Sequence, residues 1–295
     1  MTRAGTFAAA APALFVFLWS TGFIGARYGL PYAQPMSFLA IRFVIVIGLL
    51  MAVARWRHAP WPREPRMYLH LAVSGVLLHS IYLGGVFSAI HGGLNAGLAA
   101  LIVGAQPLIT AAVVGPLFGD RLSGRQWTGF VLGFMGVMMV LSKSLARGDL
   151  PLPAVAWALL GLLGITLGTL YQKRYVVNVD LWRGSLLQFS AALMPSGLLA
   201  LIFEHQTIIW NFSFVFALAW LCLVLSLGAI SLLWYLIQRG AAARVASLFY
   251  LVPPVTALEA WLLFDETLLA VQVFGIVLTA LGVALINRVT PVVAR

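Results

Sequence analysis

The chain is 295 residues long, 62% hydrophobic and only 9% charged, with a net charge of +10 at pH 7. Soluble domains carry charged residues near a quarter of their length, so a water-facing globule is excluded and a polytopic, all-α membrane protein is expected. The basic surplus does not point to nucleic acid, because Lys and Arg fall between apolar runs, as they do in cytoplasmic membrane loops.

A span needs about 20 apolar residues, and ten stretches qualify: 7–28, 36–54, 67–90, 94–118, 126–142, 153–171, 184–203, 213–236, 245–263 and 271–287. The first is read as a retained span rather than a cleaved signal, because no small-residue cleavage site follows it. The connections are short and carry Pro, Gly or Arg, as in Gly29-Leu30-Pro31-Tyr32 and His91-Gly92-Gly93. No loop has room for a soluble domain. Nothing resembles a nucleotide-binding motif, so ATP is not the expected energy source. Cys222 is a single cysteine, which excludes an intramolecular disulfide and a cysteine metal cluster. Neither a cofactor nor a metal is expected.

The sequence repeats itself. FGDRLSGRQWTGFVLGFMGV from Phe118 reads over FDETLLAVQVFGIVLTALGV from Phe264 at a constant shift of 146 residues, and the same shift lays Gly22 on Gly168, Phe43 on Phe189 and Pro107 on Pro253. Internal repetition of this kind divides the chain before any other element is assigned. The expected units are 1–146 and 147–295, with five spans each. An odd span number inverts the second unit in the membrane. Lys and Arg favour the cytoplasmic side, so equivalent loops should carry opposite bias, and four pairs do. Arg55, Arg57, Arg63 and Arg66 follow span 2, whereas the equivalent loop holds Glu204 and no Lys or Arg. Lys173, Arg174 and Arg183, Arg121 and Arg125, and Arg239 and Arg244 likewise face equivalents without Lys or Arg. Both termini then lie in the cytoplasm. Inverted repeats suit a transporter, since two similar bundles can exchange conformations around a midplane site.

The motifs resemble a known family. Trp19-Ser20-Thr21-Gly22-Phe23, Pro35 with Arg42-Phe43, Pro107, Phe118 to Leu122 and Gln126 to Gly129 in the first half are similar to those of the drug/metabolite transporter superfamily, in its EamA type. Pro253, Glu266, Leu268, Gln272, Gly275 and Gly282 carry the likeness in the second half. One departure is Asp120-Arg121, where the family shows a Glu, as at Glu266. Within the family the chain most resembles the YddG-type exporters of aromatic amino acids in bacterial inner membranes. The resemblance implies ten transmembrane helices, a small-molecule substrate and a bacterial inner-membrane location.

Polar groups inside spans are expensive and invite a functional reading. His79 and Tyr82 lie three apart in span 3 and are expected on one helix face, suited to an amino acid's carboxylate or ring; the competing reading is an interhelical hydrogen bond. Ser247, Tyr250, Pro254 and Trp261 in span 9, and Asn95, Gln106, Pro107 and Thr110 in span 4, are expected to line a cavity, because the prolines free backbone carbonyls that lipid cannot satisfy. Glu259 is the carboxylate inside a span. It suits a proton relay, or else pairs with Arg42 at similar depth, and the pair is the favoured reading; Arg42 could also snorkel or cap helix carbonyls. The glycines of span 5 (Gly129, Gly133, Gly136), span 10 (Gly275, Gly282) and span 6 (Gly161, Gly164, Gly168) read as close helix packing, and Trp56, Trp61 and Trp210 as interfacial anchors.

An intramembrane hydrolase is not expected, since neither His-Glu-x-x-His nor Gly-x-Ser-x-Gly occurs and no pair of intramembrane aspartates is present. A receptor or scaffold has no use for an inverted repeat. A nucleotide-sugar carrier would need more intramembrane cations than Arg42 and Arg27 supply. The expectation is therefore an exporter of aromatic or other neutral amino acids working by alternating access as a monomer in the lipid bilayer, with a broad drug or metabolite exporter as one alternative and a non-transporting membrane receptor or scaffold as the other.

Overall fold

The computed structural model describes residues 3–106, 109, 123–147, 151–205, 207–239, 248–264 and 269–287. Every regular element among them is helical. This is what hydrocarbon demands, since an unpaired backbone group has no water to turn to. The helices are α1 (Arg3–Gly29), α2 (Pro35–Trp56), α3 (Pro65–His91), α4 (Ala96–Gly104) and α5 (Gly124–Arg147), then α6 (Leu152–Tyr175) and α7 (Leu181–Phe203). Helix α8 runs through Phe212–Ala219, Trp220–Ala229 and Ile230–Arg239; a short turn at Phe249–Leu251 leads into α9 (Val252–Phe264), and α10 is Ala270–Asn287. Six of these, α1, α2, α3, α6, α7 and α8, are long and apolar enough to cross a membrane. Expected spans and observed helices agree to within about five residues, except that only the first part of 94–118 is described and that 245–263 is matched by a helix only from Val252, with 245–247 outside the described residues.

Local chemistry explains the helix starts. Pro35 and Pro65 open α2 and α3, where a missing N–H costs nothing. Asn95, Asp180 and Asn211 cap α4, α7 and α8 by accepting from backbone N–H groups two or three residues on. Two helices depart from the α pattern in their middles. Val76–Ile81 of α3 and Trp220–Ala229 of α8 are π-helical, and the 146-residue shift lays the first inside the second. Such wide turns are rare and concentrate where a helix does functional work.

The packing is also paired. α2 lies against α7, α4 against α9, and α5 against α10; α3 on α6 is matched by α8 on α1, and α3 on α7 by α8 on α2. The glycine stripes bring α5 and α10 backbone to backbone. A Cβ at Gly136 would strike Thr279 and the Gly275 carbonyl, while one at Gly282 would come 2.5 Å from the Gly129 carbonyl and from Gly133 N. These contacts are each other's images under the shift. The expected packing role of Gly164 and Gly168 also holds: a Cβ at Gly164 would come 2.8 Å from Tyr82 N and one at Gly168 2.7 Å from Leu78.

The α2–α7 pair is tied at both ends. At one end the Glu204 carboxylate accepts from Met36 N, Ser37 N and Ser37 Oγ, each at 2.7 Å. At the other, Arg183 Nε donates to the Ala59 carbonyl at 3.1 Å, and its guanidinium sits 4.0 Å over the Trp61 ring. Arg183, expected among the loop charges, is in fact buried.

Candidate functional site

Phe43 on α2 and Phe189 on α7 meet in the middle of this pair, with ring centroids 5.5 Å apart at 63°. His79, from the π segment of α3, stacks on Phe189 at 3.9 Å and 16° and meets Phe43 edge-on at 6.4 Å. His79 keeps some accessible surface, while Tyr82 just beyond it is buried. The expectation that the two share a face rested on α-helical spacing. The π turn ending at Ile81 changes the angle between them, and His79 finds aromatic faces rather than the interhelical hydrogen bond weighed against substrate contact.

Arg42 stands next to Phe43 and is 3% exposed. Its Nη2 donates to Ser226 Oγ at 3.2 Å, in the π segment of α8, and its carbonyl accepts from Cys222 Sγ at 3.8 Å. Nε and Nη1 have no partner. His79, Tyr82 and Cys222 all lie within electrostatic reach of the guanidinium. One basic group, one imidazole, one phenol and two phenyl rings thus converge from both halves of the chain.

The EamA-like transporter family matches this chain twice, over residues 6–142 and 152–288, the second match beginning and ending 146 positions after the first. The chain belongs to that family. It is 30% identical over 278 residues to the "uncharacterized inner membrane transporter YedA" of Escherichia coli K12, covering 92% of this chain and 89% of that protein. It is 27% identical over 282 residues to a "probable amino-acid metabolite efflux pump" of the same organism, covering 91% of both. A solved crystal structure covers 96% of each chain with a TM-score of 0.66 and 19% identity, and so shares the fold.

In this EamA-like transporter the expected pair between Glu259 and Arg42 does not form. Glu259, on α9, accepts from Ser20 Oγ of α1 at 2.7 Å through Oε1, and Oε2 has no partner. Each of the two faces a hydroxyl on a different helix, so no ion pair joins them. Arg42 is also not snorkelling, being almost fully enclosed. Thr256, one turn before Glu259, is buried with its Oγ1 unpartnered.

The remaining expected residues are dispersed. Asn95 is the cap of α4, its Oδ1 accepting from Leu98 N at 2.8 Å. Gln106 donates to Thr169 Oγ1 of α6 at 2.7 Å. Ser247, Pro107, Thr110 and the side chain of Tyr250 lie outside the described residues. Trp261 is half-exposed on α9. Ser20, Ser226 and Phe189 were not anticipated as site residues. The repeat shift held a signal for two of them, since it lays Phe189 on Phe43 and Ser226 on Ser80.

Proposed function

We propose that this transporter exports amino acids, aromatic or other neutral ones, across a bacterial inner membrane by alternating access. Ten spans in two inverted five-helix halves, 1–146 and 147–295, would form it, with both termini cytoplasmic and one chain sufficient. The observation that carries the reading is the stack of His79 on Phe189 beside Phe43, an aromatic and hydrogen-bonding surface set where α2, α3 and α7 meet. His79, the partly accessible member of the cluster, offers its imidazole to a ring and a ring nitrogen to a polar headgroup, with Phe43 and Phe189 buried behind it. The relative named as an amino-acid metabolite efflux pump supports the substrate class. The paired packing of α2 with α7, α4 with α9 and α5 with α10 supports the inverted halves, because such halves can trade conformations about a central site.

The test is uptake of labelled tryptophan, phenylalanine and threonine into proteoliposomes of the purified protein, beside the His79→Leu variant. Saturable uptake that His79→Leu abolishes is the expected result. Monodisperse protein that carries no amino acid would overturn the substrate class and shift the weight to drugs or other metabolites.

A further inference from the structure

Positions 42 and 188 are equivalent under the 146-residue shift, and they solve the same packing problem differently. Gln188 on α7 is neutral, and its Nε2 donates to Ser74 Oγ of α3 and to Gln172 Oε1, both at 2.9 Å. Arg42 on α2 makes one such bond, to Ser226 of α8. A neutral side chain therefore suffices to join the second helix of one half to the third helix of the other. At position 42 a permanent charge does the same joining and leaves Nε and Nη1 unused. An ion in a bilayer is expensive and persists where something of opposite sign meets it. Among the described residues no carboxylate does so. Glu259 is bonded to Ser20, Glu204 holds the start of α2, and Asp180 holds the start of α7.

We infer that Arg42 is the anchor for the substrate's carboxylate, and hence that the protein selects molecules carrying that group. The inference rests on the amino-acid reading above for the rest of the substrate. A guanidinium has five N–H donors in a planar fork that fits a carboxylate, and Ser226 takes one of them. His79 lies within electrostatic reach of the guanidinium and stacks on Phe189 beside Phe43, so a carboxylate on Arg42 leaves the remainder of the substrate next to that aromatic cluster. Arg42 is sealed in this conformation. Its neighbours Ser226 and His79 both sit in π segments, so rearrangement of those turns is the route by which the fork is uncovered. Amides, esters and simple amines with the same ring are then poor substrates.

The experiment is competition against labelled tryptophan uptake in proteoliposomes by tryptophan, tryptophanamide, tryptamine and indole-3-acetate, for the wild type and for Arg42→Gln and Arg42→Lys. Loss of a charged hydrogen bond corresponds to at least about a tenfold change in affinity. The wild type is expected to prefer tryptophan and indole-3-acetate over tryptophanamide and tryptamine by about that factor or more. Arg42→Gln, which copies residue 188, is expected to stay monodisperse and to lose the preference; Arg42→Lys is expected to keep part of it. Equal competition by tryptamine in the wild type, or an undiminished preference in Arg42→Gln, would overturn the inference while leaving amino-acid transport standing. If Arg42→Gln does not fold, the wild-type competition decides alone. If the wild type carries no amino acid, that reading fails, and direct binding of indole-3-acetate decides the role of Arg42: binding lost in Arg42→Gln supports it, and no binding sinks it.

Discussion

Phe43 and Phe189 stand 146 positions apart in the chain and touch ring to ring, 5.5 Å between centroids. Residues holding the same place in two similar halves touch only where the halves face each other, and both rings are fully buried there. Truncating a buried Phe to Ala costs about 3–5 kcal/mol. Phe189→Ala and Phe43→Ala should each lower the thermal midpoint of the detergent-solubilised protein. Because the rings share a contact, the double variant should lose less than the two singles added together, which a double-mutant cycle in thermal unfolding will read.

The Glu204 clamp makes a second prediction. Its carboxylate satisfies two orphan N–H groups at the start of α2 and the hydroxyl of Ser37. Hydrogen bonds to a charged group are worth about 1.5–3 kcal/mol. Glu204→Ala should destabilise by an amount in that range or somewhat above it, and Glu204→Asp, one methylene shorter, should recover little. Hydrogen exchange at Met36 and Ser37 should quicken in the variant. Unchanged exchange there would mean that the clamp is not formed in the membrane.

Glycine substitutions should separate contact from propensity. Gly136→Ala and Gly282→Ala put a Cβ into the backbone of the facing helix, and overpacking of this kind costs about 1–3 kcal/mol. Gly48→Ala in α2 meets nothing within 4 Å and should instead gain about 0.5–1 kcal/mol from helix propensity. Opposite signs in paired thermal melts are the expected outcome.

Glu259→Gln preserves shape and the bond from Ser20 but removes the exchangeable carboxyl proton. The variant should fold with an unchanged midpoint and lose any response of uptake to an imposed pH gradient. A response equal to the wild type's would take Glu259 out of the coupling step.

Much of this was legible in the sequence, and the reason is physical. Lipid imposes span length and removes charge, so runs such as 36–54 and 184–203 announced α2 and α7. The repeat shift paired Gly136 with Gly282, and their contacts, Gly136 on Gly275 and Thr279 and Gly282 on Gly129 and Gly133, are images of each other. Asn95, expected to line a cavity, caps α4 instead by accepting from Leu98 N. What stayed hidden depends on which helix faces which. Nothing local to Arg42 names Ser226, 184 positions away, or Ser20 as the partner of Glu259 in place of Arg42. The π segments were hidden too, because 3.6-residue periodicity is assumed wherever a run is apolar.

Those segments have a mechanical consequence. A π turn closes its backbone ring over five residues rather than four, so it stores slack that a regular helix lacks. Taking up one residue's worth of that slack turns everything downstream by about 100°. In α3 that would swing Tyr82–His91, and in α8 Ile230–Arg239, while α2 and α7 stay clamped together at both ends. Each half would then have one swivel of this kind in its third helix, beside the clamped α2–α7 pair.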